Sequence, residues 1–493
     1  MQTTAEQNAF DPPLWRSFWA FAGAITAIRI VILFISQAEL GPDEAQYWYW
    51  SRDLAYGYFS KPPVIAWAIA ATTAVFGNEE WAVRLSAPLF HFGAAGFLYA
   101  LACNLYDRRI AFWTGLGWLT IPGVILSSFI IATDAPLLFC WSGALYFLFR
   151  ILNDEKSATI DFARLGAMIG IGLMSKYAMM YFVAALAPAL LLRPVRDKLL
   201  TKPLALTALV ALVIFIPNVI WNFQNDFQTL SHTAANANWG ASLKPLSLAT
   251  FVAEQFLVFG VIIFSAILAA GYKLLRTPRR ADYTAIILLI FAATPLVIVA
   301  TQAFISRAHA NWAAAAYPAA MLLATAFLFQ AGKGWLAKAS VAVHGFIFLA
   351  FSIAMANFGL IDRLGLSNAV KDLRGWEAQT AAIVEQGLDY DAILVDDRYL
   401  ISEMLYHQYE AAGQIFAIDP NAHISNHFEA FKAFDPKLHK YTLFVTTRDD
   451  AAHVDYRFHS IERVGSVEAD IGGGKARRYG LFAISDYFGP GAD

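Results

Sequence analysis

The chain has 493 residues, of which 58% are hydrophobic and only 15% charged, with a formal net charge of −2. A soluble domain of average make-up carries about 25% charged residues, so this composition points away from an ordinary soluble enzyme and toward the bilayer. The near-neutral charge argues against a nucleic-acid partner, and Cys103 and Cys140, both inside apolar runs, give no disulfide framework.

The opening stretch "MQTTAEQNAFDPPLWR" has acids, two prolines and no small-residue cleavage pattern, and it reads as a cytoplasmic tail before an uncleaved first span. Crossing about 30 Å of hydrocarbon takes roughly 17 to 25 apolar residues. Spans are predicted near 17–38, 81–105, 110–128, 131–150, 163–175, 177–192, 204–221, 249–271, 283–304, 313–330 and 340–359, about eleven crossings by this criterion. The proline-led "PPVIAWAIAATTAVFG" is short for a crossing and is expected to lie along the outer membrane face.

Basic residues set the orientation. With the N-terminus inside, Arg108 and Arg109, the loop with Arg193, Arg196, Lys198 and Lys202, the loop with Lys273, Arg276, Arg279 and Arg280, and Lys333 with Lys338 all fall inside. The loops left outside are 41–80, the tips near 128–134 and Lys176, the long loop 222–248, the tip 304–312, and everything after about 360. A helical membrane domain over 1–359 and an outer α/β domain over 360–493 follow. In the latter, "DAILVDD" and "KYTLFVTTRDD" have the form of buried strands, and "RYLISEMLYHQYEAAG" that of a helix closed by glycine.

Candidate chemistry gathers in the outer loops. Asp43 and Glu44, just past the first span, read in isolation as solvated acids. They are followed by the aromatics of "YWYW" and "YGYF", including Tyr47 and Tyr58, which suit a sugar-stacking or lipid-facing wall beside a general base. Lys61, in "FSKPPV", is either a snorkelling anchor or the partner of an anionic headgroup. Asp134, in "TDAP", can serve as a helix cap or as a second carboxylate on the same face. Lys176 and Tyr177 sit at a tight outer turn, where the plain reading is again an interfacial anchor. In "SRAHANWAAAAYPA", Arg307, His309, Asn311 and Trp312 stand at an outer mouth with Tyr317 and Pro318 deeper; Arg307 could hold a phosphate, whereas His309 alone reads as a polar loop residue. Arg29, inside the first span, must face protein or water, because a charge at mid-membrane costs about 2.5 to 3.5 kcal/mol on insertion scales.

Sidedness unites these residues. Asp43, Lys61, Asp134, Lys176 and Arg307 come from separate places in the chain, and the expected topology brings them to one membrane face. Carboxylates and cations at headgroup level suit an enzyme acting on a lipid-linked phosphate. No P-loop, Rossmann glycine pattern, H-E-x-x-H or clustered Cys/His metal signature occurs, and nucleotide-driven chemistry is not expected.

The run "GPDEAQYWYWSRDLAYGYFSKPPVIAW", then "AVRLSAPL", "TDAPLLFCWSGALYFLF", "GLMSKYAMM", "FIPNVIWNFQNDF" and "HANWAAAAYPA" resembles, in order, bacterial GT-C glycosyltransferases of the aminoarabinose transferase type, related to the dolichyl-phosphate-mannose protein mannosyltransferases of glycosyltransferase family 39. The resemblance covers about residues 17–320. It implies a multi-span inverting transferase that takes a sugar from a polyprenyl phosphate at the periplasmic face of the bacterial inner membrane. By the same resemblance the catalytic carboxylate matches Asp43, the donor-phosphate lysine matches Lys61, and the acid opening the fourth span matches Asp134. Where those transferases carry "EKP" this chain has Ser60 before Lys61, which removes an acid that helps bind a divalent metal there; His232 is left as an isolated ligand candidate, and no cofactor is firmly implied.

The reading is therefore a GT-C-like polytopic enzyme with a polyprenyl-phosphate-sugar donor and a glycolipid acceptor, lipid A or lipopolysaccharide core. Asp43, Glu44 and Asp134 would form its catalytic group, Lys61, Arg307 and Lys176 its phosphate-binding group, and Tyr47, Tyr58, His309, Asn311, Trp312 and Tyr317 its wall. The alternatives are a protein O-glycosyltransferase of the same fold and, from another class, a lipid or solute transporter. A transporter would hold its polar groups near the midplane on broken helices.

Overall fold

The computed structural model describes residues 14–153, 159–237, 243–276, 282–419 and 424–489. The tail 1–13, Arg279, Arg280 and part of the 222–248 loop lie outside the described residues.

The first helix, α1 (Leu14–Ile35), has 22 residues, enough for about 33 Å at 1.5 Å per residue. The acid-and-aromatic stretch that follows, expected to be loop, instead forms a helix, α2 (Pro42–Ser51). Its start explains why: Pro42 fixes the first turn, and Glu44 reaches back to accept the Gly41 N–H at 3.0 Å. Next, α3 (Val64–Phe76) has 13 residues, about 20 Å, too short to cross. α4 (Glu80–Arg84) runs into α5 (Ser86–Leu105) as one apolar span.

The expected span 110–128 is two helices, α6 (Arg108–Thr120) and α7 (Pro122–Ser127), parted at Ile121, whose extended backbone precedes a proline. α8 (Asp134–Asn153) and α9 (Thr159–Ser175) then pack as a pair. A 3₁₀ turn (Tyr177–Met179) leads to α10 (Met180–Ala189) and α11 (Arg193–Leu199). After α12 (Leu204–Gln224) and α13 (Gln228–Ala237) come α14 (Pro245–Phe259) and α15 (Val261–Arg276), bent by 116° at Gly260. Gly260 has φ +90°, and a Cβ there would overlap the His344 ring. α16 (Tyr283–Ile305), a 3₁₀ turn (Ala310–Ala316) continuing as α17 (Tyr317–Gln330), and α18 (Gly334–Ala356) complete the bundle.

Among the described residues, 7 helices are long and apolar enough to cross a membrane, or up to 9 if each bent pair is one span. The shortfall from the expected number falls at the pair broken before Pro122 and at α9, which has 17 residues. The bundle core holds Phe18, Trp118, Trp141, Phe182 and Phe291. Gly166 and Gly170, four apart on α9, let its backbone approach Thr207 and Ala211 of α12, and Thr207 donates to the Phe162 carbonyl at 2.8 Å. Arg29 is buried, donates to the Leu119 carbonyl and lies 5.5 Å from the Phe348 ring centroid, so it faces protein and not lipid.

Beyond the short α19 (Phe358–Arg363) and α20 (Trp376–Gly387), a five-stranded sheet has the order β2-β1-β3-β5-β4. β1 (Ala392–Val395) lies in parallel between β2 (Ile415–Ala417) and β3 (Tyr441–Thr446), with α21 (Arg398–His407) crossing from β1 to β2. α22 (His427–Phe431) packs beside β2. β4 (Phe458–Gly472) and β5 (Lys475–Tyr487) make a long antiparallel hairpin, turned at Gly473 and Gly474, both with positive φ.

The aromatics of α2 dock this sheet domain. Trp48 meets Tyr406 and Tyr409 at 5.0 and 5.4 Å, Tyr49 meets Phe428 at 5.7 Å, and Trp50 meets His427 at 5.4 Å. Glu39 accepts the Trp376 N–H at 2.6 Å, and Tyr406 donates to the Asn78 carbonyl at 2.8 Å. The "YWYW" run is thus an interdomain joint, with Tyr47, Trp48 and Trp50 buried.

Candidate active site at the polar ends of the helices

α2 holds two adjacent acids in different environments. Asp43 is 64% exposed in its side chain and accepts from Arg398 Nη1 at 2.8 Å; the same nitrogen donates to Gln46 Oε1 at 3.0 Å. Glu44 is buried. It takes a two-toothed grip from Arg84, Nε to Oε1 at 2.9 Å and Nη2 to Oε2 at 2.6 Å, and its oxygens also accept the Gly41 and Ile131 N–H groups. Arg84 donates further to the Ala38 and Glu39 carbonyls. Every oxygen of Glu44 is committed to structure, so the expected catalytic role passes it by: it clamps α2 to α4 and to Ile131 just before α8.

The loop after α2 is pinned at several points and presents Lys61. Tyr58 stacks on Trp50 at 4.8 Å, and its hydroxyl donates to the Trp50 and Asp53 carbonyls while accepting the Ala55 N–H. Burial raises the Tyr58 phenol to about 12. Asn218 Nδ2 donates to the Tyr56 carbonyl at 2.7 Å, Thr229 donates to the Tyr58 carbonyl at 2.7 Å, and Gly57 lies so close to Trp221 that a Cβ would overlap the indole. Tyr58 is therefore a clamp of the loop and not a wall for substrate. Tyr47 is likewise buried, tilted against Trp50 at 5.3 Å.

Opposite this loop, Asp134 opens α8. Lys176 Nζ donates to its Oδ1 at 2.7 Å and Asn311 Nδ2 to its Oδ2 at 3.1 Å, so three separate segments meet on one carboxylate. Lys61 joins the same group through its field: burial, and after it the neighbouring charge of Lys176, push its ammonium below the ordinary lysine range, while Asp43 and Asp134 oppose that shift. Burial also lowers His232, followed by the charges of Lys61 and Arg398.

A cavity of about 550 Å³ opens here. Ser60, Lys61, Lys176, Tyr177, His232 and Gln302 line its polar part, and Tyr181, Val297, Ile298, Val299, Ile305 and Trp312 give it an apolar wall between α10 and α16. His232 stands edge-on to Phe59 at 5.4 Å. Among the described residues no three of His, Cys, Asp and Glu converge as a metal-ligand group.

The remaining expected site residues divide. Trp312 lines the cavity and Asn311 reaches Asp134. Arg307 is exposed and outside the cavity lining, its carbonyl accepting from Gln302 at 3.3 Å; His309 is exposed beside Trp312 at 5.2 Å. Tyr317 is buried, donating to Gln255 Oε1 at 2.6 Å, because it begins α17 behind the mouth and not at it. Sequence reasoning missed Arg398, the cation on Asp43. Its signal was available: it follows "DAILVDD", and residues at the carboxyl ends of parallel strands commonly face ligands.

Residues 60–221 match a family model described as dolichyl-phosphate-mannose-protein mannosyltransferase. The lipid A galacturonosyltransferase RgtD of Rhizobium johnstonii is 33% identical over 432 residues, spanning 85% of this chain and 89% of that protein. The lipopolysaccharide core galacturonosyltransferase RgtB of the same organism is 27% identical, over 57% of this chain and 59% of its own. Among solved structures, ArnT from Cupriavidus metallidurans superposes with TM-scores of 0.63 in the apo state and 0.64 bound to undecaprenyl phosphate. Identity there is 18% and 17%, with 94% of this chain and 98% of that one covered, a likeness of fold.

Proposed function

The chain belongs to the bacterial GT-C glycosyltransferases of the family-39-like type, and on that premise we propose that it moves a hexuronic acid from a polyprenyl phosphate to lipid A or the lipopolysaccharide core. The names of its galacturonosyltransferase relatives support the sugar class and the acceptor. The observation that carries the reading is the convergence of Lys61 and Lys176 at the polar end of an apolar-walled cavity, beside Asp43 and Asp134. A phosphate would sit against the two ammonium groups, and the first isoprene units would lie along Tyr181, Val297 and Ile298.

Each residue then has a task. Asp43, the exposed carboxylate, takes the proton of the acceptor hydroxyl as its oxygen attacks C1 of the sugar from the face opposite the phosphate. The C1–O bond breaks, and the electron pair leaves on the polyprenyl phosphate, whose charge Lys61 and Lys176 balance. Asp134, fixed by Lys176 and Asn311, holds that lysine and orients the sugar. In this reading the enzyme is a multi-pass protein of the inner membrane with its N-terminus cytoplasmic. Residues 1–359 form the catalytic unit, and 360–493 a periplasmic domain that closes over α2.

Mass spectrometry of lipid A and core from a deletion strain tests it. Loss of a hexuronic acid, restored by the wild-type gene, is expected; an unchanged mass profile of both glycolipids would sink the reading.

A further inference from the structure

We propose that Arg398 reads a carboxylate on the transferred sugar, making this site selective for a uronosyl donor over a neutral hexosyl one. The inference rests on the cavity being the donor site.

The charges are the starting point. Two carboxylates, Asp43 and Asp134, act on Lys61 of the cavity lining, and one lining cation, Lys176, is taken by Asp134 at 2.7 Å. A neutral-sugar donor adds one phosphodiester charge, which Lys61 can balance. A uronosyl donor adds a second negative charge on the sugar, and without another cation it would meet Asp43 and Asp134 unshielded. Arg398 is placed to supply that cation: its Nη1 lies 2.8 Å from Asp43 Oδ1, and the base must stand within reach of the acceptor hydroxyl that attacks the sugar.

Its hydrogen bonds leave it a free face. Nη1 serves both Asp43 and Gln46, and among the described residues neither Nε nor Nη2 makes a hydrogen bond. The guanidinium is packed 4.8 Å from the Tyr399 ring centroid, and the side chain is 31% exposed. That is a fork held in orientation with one edge open, the geometry that receives a carboxylate through two parallel N–H groups.

Chemistry gives the pair a reason to be exchangeable. A guanidinium fixed on a general base competes with the incoming proton for the same oxygen, so a permanent Arg398–Asp43 pair would oppose proton transfer. A donor carboxylate that draws Arg398 over frees Asp43 Oδ1 when the right sugar is bound.

The test uses the full chain in lipid nanodiscs with three ligands: galacturonosyl polyprenyl phosphate, galactosyl polyprenyl phosphate, and the sugar-free polyprenyl phosphate. Wild type should favour the uronosyl over the galactosyl donor in kcat/KM by about 30-fold or more, the worth of a charged hydrogen-bonded pair. In Arg398→Gln that ratio should collapse toward one, with Arg398→Lys intermediate and binding of sugar-free lipid retained in both. Equal loss for both donors in Arg398→Gln, with the ratio unchanged, would overturn the inference, leaving Arg398 a positioning residue for Asp43. A wild type that binds the sugar-free lipid yet has no preference between donors overturns it as well. Failure of wild type to bind the sugar-free lipid overturns the donor-site reading itself, and this inference with it.

Discussion

Lys176 donates to Asp134 across 2.7 Å, tying the residue just beyond α9 to the first residue of α8, and Asn311 holds the other carboxylate oxygen. Removing either member strands the other charge, so the pair should behave as a unit. Lys176→Met and Asp134→Asn should each lower kcat/KM by about 100-fold, and the double variant should be little worse than either single one. Multiplying losses in the double-mutant cycle would show that the two act separately.

Asp43 is the exposed acid and Glu44 the buried one, and their variants should separate chemistry from stability. Asp43→Asn should lose about 10²- to 10⁴-fold in kcat, the range of general-base effects, while donor affinity and melting temperature stay near wild type. Wild-type turnover by this variant would move the base to Asp134.

Glu44→Gln leaves the Arg84 guanidinium buried without its counter-charge. Breaking such a pair costs about 3 to 5 kcal/mol, so the variant should melt well below both wild type and Asp43→Asn. Glu44→Gln combined with Arg84→Met should regain part of the loss, because no buried charge is then left over. Equal melting temperatures for Glu44→Gln and wild type would deny the clamp.

Donor binding should carry a pH signature from Lys61. Its ammonium is held below the ordinary lysine range by burial and by Lys176, so in the free enzyme it loses its charge at lower pH than an exposed lysine. Binding an anionic phosphate then requires proton uptake, and the measured Kd for polyprenyl phosphate should rise with pH on the alkaline side. Lys61→Arg should move the onset upward, since arginine stays charged; an identical pH profile for the two would assign the dependence elsewhere.

His427, packed against Trp50 and Phe431, should make the interdomain joint acid-sensitive. Burial lowers its imidazole from 6.5 to about 3. The unfolded chain therefore binds a proton that the folded one refuses as pH falls below about 6.5. Stability should drop on the order of 1 kcal/mol per pH unit down to about 3, with none of this loss above pH 6.5. Hydrogen exchange at α22 between pH 7 and 5 checks the direction, and His427→Phe should remove the step.

Most of the apolar spans were legible because a lipid-crossing helix has one composition and one minimum length; the exceptions are the run broken before Pro122 and the 17-residue α9. The meeting of Lys176 with Asp134 was also expected from sequence, since each sits where an apolar run ends, whereas Arg307, expected beside them, lies exposed outside the cavity lining and Asn311 of the same segment reaches Asp134 instead. Three things did not. α2 was hidden by its polar make-up, because the Gly41–Glu44 capping interaction and the Arg84 clamp that stabilise it are set by side-chain geometry. The roles of Trp48, Tyr49 and Trp50 depended on a domain more than three hundred residues away in the chain, as Tyr406 lies 328 residues beyond the Asn78 it bonds. The β4–β5 hairpin was unreadable as strand because β4 is an edge, exposed along most of its length and rich in charge at Glu462, Arg463 and Glu468.

Asp43 and Arg398 stand 355 residues apart in the chain. A contact that distant closes late in folding, after the helices have inserted and after β1 and α21 have formed. The nascent protein is consequently without its complete charge arrangement until residue 398 of the 493 has been made. A chain stopped before residue 398 would therefore leave the Asp43 carboxylate without the guanidinium that pairs with it in the finished fold.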